Sequence, residues 1–166
     1  MNKNKFYLVL VVVLFVVIIL LSLALIFVNP KKVQAPKQEF STITLYFYNQ
    51  NIKPVDNCKE VVPVTRQIPK TEKIATATLE QLLGGPTAEE KKSGYTTVIP
   101  EGSKLNSLNI VDGEAQVDFN EATQSGGGSC SMLARVTQIR QTLLQFSTIK
   151  TIKLSINGAT EPIFQP

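Results

Sequence analysis

Between Phe6 and Val28 the sequence runs for 23 residues with a single residue that is not apolar, Ser22. At about 1.5 Å per residue a helix of this length spans roughly 34 Å, enough for a bilayer core of about 30 Å. It is apolar on every side, so no single packed face could bury it, and a soluble core helix of this kind would need a domain wrapped around it. The run is also too long for a signal-peptide core of about 7–15 residues. Val33-Gln34-Ala35 has the small-residue spacing of a cleavage site, but Pro36 follows directly. The reading is therefore an uncleaved anchor: a short tail over residues 1–5, a transmembrane signal anchor over 6–28, a linker over 29–39 and one domain over 40–166.

This division changes what the charge means. The chain carries a formal net charge of +4, yet every charge before residue 38 is a lysine (Lys3, Lys5, Lys31, Lys32, Lys37). From Gln38 onward acids outnumber bases by one. The excess belongs to the membrane flanks, and the composition offers no basic patch for nucleic acid. Lysines stand on both sides of the apolar run, so the positive-inside count does not by itself orient the anchor. With no histidine and two cysteines the chain lacks a His-based triad and falls short of a closed zinc site. No metal, cofactor or catalytic residue is assigned.

After the linker, Phe40 to Tyr48 alternates as a strand, with Ile43, Leu45 and Phe47 on one face and Thr44, Tyr46 and Tyr48 on the other. Val61 to Arg66 reads as a second strand that Pro63 pushes to an edge. Thr71 opens a helix to about Leu83, closed by Gly84-Gly85-Pro86. Thr87 to Glu90 fits a capping box. Asp112-Gly113 joins two alternating runs as a hairpin, and Asn157-Gly158 predicts a second one with Ala159 to Phe164 returning. Between the hairpins, Met132, Val136, Ile139, Leu143 and Phe146 mark one face of a helix. Leu133 and Leu144 widen that stripe, and Arg135, Gln138, Gln141 and Gln145 point away from it. The expected class is α+β: two amphipathic helices packed on one face of a mostly antiparallel or mixed sheet, preceded by one transmembrane helix.

Several of these stretches together resemble the GerMN domain family of spore-germination proteins. They are Ile43 to Phe47, Val64-Thr65-Arg66, Leu79 to Pro86, Gly94 to Pro100, Gly102, Asp112 to Phe119, and Gln145 to Gly158. The resemblance implies a compact α+β module outside the cytoplasm, tethered by a membrane helix or lipid. Like the ring-building motifs of sporulation assemblies, it would act by protein–protein contact. It brings no catalytic residues to carry over.

Cys58 and Cys130 can close a structural disulfide or stay as two free thiols; a redox-active pair is more usually close in sequence, as in C-x-x-C. Ser125 to Ser129 is a glycine-rich stretch ahead of a helix, without the lysine of a phosphate loop. Glu114, Asp118 and Glu121 are close enough to suggest paired carboxylates, although alternation puts Glu114 and Asp118 on a solvated sheet face. Tyr46, Tyr48, Val61 and Arg66 form the expected contact surface, with an envelope protein or self-assembly as partner. The alternative is a glycan (peptidoglycan)-binding module using Tyr46, Tyr48 and Tyr95. The sequence thus reads as a non-enzymatic, extracytoplasmic interaction module at the cell membrane.

Overall fold

The computed structural model describes residues 3–26, 37–52, 58 and 60–165. Two units separate, Met1–Lys37 and Gln38–Pro166. Most of the linker expected over 29–39, the end of the anchor at Phe27 and Val28, and the loop around Pro54 lie outside the described residues.

The first unit contains α1 (Lys3–Ile26). Within it Lys3–Leu23 is long and apolar enough to cross a membrane, and none of that stretch is buried. Valine and isoleucine are indifferent helix formers in water, but in hydrocarbon a helix is the way for a single segment to satisfy its own backbone. Ser22 donates its hydroxyl to the carbonyl of Ile19 at 2.8 Å, so the one polar residue within the apolar run is satisfied inside its own helix.

In the second unit, β1 (Phe40–Asn49), β2 (Val62–Pro69) and β3 (Tyr95–Thr96) form an antiparallel sheet in the order β2-β1-β3. A second sheet has the order β4-β5-β6, from β4 (Leu105–Val111), β5 (Glu114–Phe119) and β6 (Thr151–Ile156). β4 and β5 are antiparallel, while β6 lies parallel to β5 after a crossover through a 3₁₀ turn (Glu121–Gln124) and the helix α4 (Ser129–Leu143). The α+β class stands, but the expected single sheet is divided in two.

Local chemistry explains the elements. Asp112 and Gly113 take φ of 50° and 84°, the left-handed pair of a two-residue hairpin. The helix α2 (Ile74–Leu83) buries Ala75, Thr78, Leu79 and Leu82. Thr71 sits outside its first turn and accepts from the amide of Lys73 at 3.2 Å. In the short α3 (Ala88–Lys92) the Thr87 hydroxyl accepts from the Glu90 amide and the Glu90 carboxylate accepts from the Thr87 amide, a complete capping box. Asn157-Gly158 does turn the chain, and Ile156 and Ala159 exchange both backbone hydrogen bonds. The returning strand does not form: pairing stops at that bridge, and Pro162, three residues on, has no N–H to offer a ladder.

The core lies where β1, α2, β5 and α4 meet, with Leu45, Phe47, Leu79, Phe119, Ile139 and Leu143 fully buried. One expectation fails here. Arg135 and Gln138 do not point away from the domain; they are 2% and 0% exposed, while Leu133 and Leu144 are 41% and 46% exposed. The helix is turned so that polar side chains meet the open side of β1. Gln145 accepts from the Thr44 amide at 2.8 Å and donates to the Thr44 carbonyl at 2.6 Å. Thr142 accepts from the Tyr46 amide at 3.1 Å, and Gln138 donates to the Tyr46 carbonyl at 3.0 Å. Three side chains, two on α4 and Gln145 just past its end, thus take the place of a strand along this stretch of β1. A backbone edge turned inward must find partners; the Gln145 amide supplies donor and acceptor together at Thr44, and Gln138 and the Thr142 hydroxyl divide those roles at Tyr46.

The other side of β1 pairs with β2 through Ile43, Leu45 and Phe47. That parity turns Pro63, Thr65, Gln67 and Pro69 outward. Two of the four outward positions therefore lack an N–H, which blunts the edge as Pro63 led one to expect.

Candidate functional site

Of the residues expected to form a contact surface, Arg66 turns to the opposite face of the sheet from Tyr46 and Tyr48, since it pairs opposite Ile43 while Tyr46 pairs opposite Pro63. Tyr46 and Tyr48 share the outer face of β1, both half-buried. The Tyr48 hydroxyl donates to the carbonyl of Cys58, and burial pushes its pKa up. Tyr95 pairs opposite Asn49, one residue out of step with Tyr48, so it stands on the opposite face and packs against the core. The three tyrosines therefore do not line one groove. Val61 precedes β2 and is half-buried.

Arg66 is engaged within the domain. Its guanidinium meets Glu90 in a bidentate pair, Nε to Oε1 at 2.9 Å and Nη2 to Oε2 at 2.6 Å. It also donates to the carbonyls of Gln81 and Gly85 at 3.3 and 2.9 Å, and lies 5.6 Å from the centroid of the Phe47 ring. With the two side chains only 12% and 15% exposed, Arg66 clamps β2 to the α2–α3 turn. The hydrogen bond from Arg66 is the main cause holding the Glu90 carboxyl below its ordinary range.

Arg135 is the polar group that periodicity misplaced. Its guanidinium donates to the carbonyls of Val98 at 3.1 Å, Thr123 at 2.9 Å and Gly126 at 3.1 Å. Burial lowers its pKa. No carboxylate meets it among the described residues; three backbone oxygens from two loops do that work, and the guanidinium's planar fork suits such a cage. The glycine-rich stretch therefore gives a carbonyl to this cage. A sequence signal existed in an arginine on the same helical face as Gln138 and Thr142, but hydrophobicity alone pointed elsewhere.

The carboxylates are likewise engaged. Burial raises the Asp118 pKa, but hydrogen bonds from Ser155 Oγ at 2.6 Å, Asn106 Nδ2 at 2.9 Å and the Gly158 amide at 2.8 Å outweigh it, and the net shift is downward. A general acid needs the reverse. Glu114 and Glu121 accept from Gln116 and Gln124, their sequence neighbours. No group of three His, Cys, Asp or Glu able to hold a metal ion occurs among the described residues. Cys58 is bonded to Cys130 in the first turn of α4, with Cα atoms 5.3 Å apart.

A small α+β domain whose buried charges serve the fold is thus what surrounds these residues, and comparison with known proteins places it. The family Germane, described as sporulation and spore germination, matches residues 44–162, and the chain belongs to it. The spore germination protein GerM of Bacillus subtilis (strain 168) is 34% identical over 105 residues, 63% of this chain. The matched region spans only 28% of that relative's length. The first GerMN domain of B. subtilis GerM superposes with a TM-score of 0.60 at 30% identity, covering 76% of this chain and 92% of that one. The tandem GerMN domains of the same protein give 0.61 at 31% identity, over 74% of this chain and 41% of theirs.

Proposed function

We propose that the chain is a membrane-anchored, extracytoplasmic assembly module of the bacterial envelope that makes contacts and no chemical bonds. The observation that carries the reading is the pairing of an exposed apolar helix, Lys3–Leu23, with a Germane-family domain. Arg66, Glu90, Asp118 and Arg135, the charged groups with perturbed or clamped environments, are all held by structural hydrogen bonds, which leaves none poised for acid–base work. The Cys58–Cys130 bond supports a location where disulfides persist. A link to sporulation or germination follows the family name and extends to this chain as part of the proposal.

The test is thiol accessibility in intact cells with a membrane-impermeant maleimide, before and after reduction. Labelling that appears only after reduction is the expected result. Labelling that requires lysis but no reductant would put the domain in the cytoplasm and overturn the reading.

A further inference from the structure

In the first sheet β2 is blunted by prolines, and the stretch of β1 that β3 leaves unpaired is met by side chains from α4 and from the turn after it. The β4 edge of the second sheet has no blocking device of comparable strength. Val111 and Glu114 flank the two-residue turn, so Val111, Asn109 and Ser107 spend their backbone groups on β5. Leu108 and Ile110 turn theirs outward, where no hydrogen-bond partner meets them among the described residues. A bulge between Leu105 and Ser107 breaks the regularity at one end only. The strand Leu-Asn-Ser-Leu-Asn-Ile-Val contains no charge and no proline, and Ile110 and Val111 are 42% and 52% exposed. A regular, uncharged, proline-free edge with exposed apolar side chains is an unprotected template for another strand.

We infer that the β4 edge pairs with the β4 edge of a second copy, antiparallel about a twofold axis. Centring the pair on Asn109 sets Leu108 against Ile110 of the second copy and Ile110 against its Leu108, so the outward N–H and C=O groups of both residues are satisfied on both strands. The product is one continuous six-stranded sheet. A second copy suits this edge because the register is self-complementary: Asn109 meets itself, Leu108 meets Ile110 and Ser107 meets Val111, and no like charges are brought together. The exposed Ile110 would lie beside Leu108 of the second copy on the same face.

The area sets where this happens. Seven residues make a strip about 23 Å long at 3.3 Å per residue, and at about 10 Å deep it falls well short of the roughly 800 Å² per partner of a standard stable interface. Pairing is therefore weak in dilute solution and needs copies held on one surface, so this inference rests on the membrane-anchor reading. Tethering makes the encounter a local one and raises the effective concentration.

The experiment uses the full chain in phosphatidylcholine vesicles, first floated to show insertion, then oxidised with copper–phenanthroline. Asn109→Cys places two cysteines across a non-hydrogen-bonded pair, about 4.5 Å between Cα atoms, within disulfide range. It should cross-link at least tenfold faster than the exposed control Lys91→Cys, with a rate that rises with surface density. Adding Ile110→Lys, a gatekeeper charge at an exposed position, should return it to the control rate while circular dichroism stays unchanged. Cross-linking no faster than the control in vesicles that do float overturns the pairing. So does cross-linking in native membranes to a different polypeptide alone, which would give the edge to that partner. Failure to float overturns the anchor and leaves the pairing to be read by the same cross-link at millimolar concentration in solution.

Discussion

Arg66 and Glu90 show how one pair of residues can couple segments that are far apart in sequence. The guanidinium reaches the α2–α3 turn from β2, and Glu90 both closes the capping box of α3 and receives Arg66. Because the Glu90 carboxyl is held below its ordinary range, chiefly by Arg66, its contribution is present above the unfolded-state pKa and is lost as pH falls through the folded one. The expected outcome is that Glu90→Gln lowers stability at pH 7 by about 1–3 kcal/mol. Between about pH 5 and pH 3 the variant should lose less of its remaining stability than the wild type does. Urea midpoints measured across that range check both statements; equal slopes for the two chains would show that Glu90 carries no linkage. At this scale the capping box could be read from Thr87-Ala88-Glu89-Glu90, since a cap is local. The Arg66 clamp could not, because its partners lie 15–24 positions away.

Among the elements, α4 departs most from its sequence pattern. Its apolar stripe is genuine: Met132, Ile139 and Leu143 are buried. Periodicity reports which side is apolar, though, and α4 needed a second side to meet an open strand. Gln138 and Thr142 on α4, with Gln145 just past its end, recur at spacings of four and three, and they meet β1 on a side that hydropathy scores as solvent. The prediction here is selective. The Thr44 and Tyr46 amides should be protected from hydrogen exchange although no strand lies against them, and Gln145→Ala should accelerate exchange at Thr44 far more than at Ile43 or Leu45, which bond to β2. The accompanying loss of stability is about 1–3 kcal/mol, the cost of stranding a buried backbone pair. Uniform acceleration along β1 would indicate a general loosening. The failed return after Asn157-Gly158 belongs to this scale as well: the turn dipeptide is a local signal, but a strand also needs successive donors.

For the molecule as a whole, the disulfide reaches furthest. It joins positions 72 apart, tying the segment after β1 to the start of α4. On the chain-entropy estimate, closing a loop of this length stabilises by about 4 kcal/mol. Cys58→Ser, Cys130→Ser and reduction of the wild type should each lower the denaturation midpoint by similar amounts, read by circular dichroism in urea. If the two variants differ widely, side-chain packing at one site outweighs the crosslink.

What the sequence determined by itself is whatever depends on neighbours along the chain: the long apolar helix, the alternation of β1 and β5, the glycine-marked hairpin, the capping box and, through the combination of these blocks, the family. Composition over a short window suffices because each is governed by spacing and by backbone preferences a few residues wide. Only the tertiary structure decided that the sheet splits in two, that Arg135 and Gln138 are interior, that Arg66 is a clamp and that Tyr95 faces away from Tyr48. Those outcomes turn on which buried backbone groups are left without a partner once the strands have paired. That demand arises between segments brought together by folding, so no local pattern carries it.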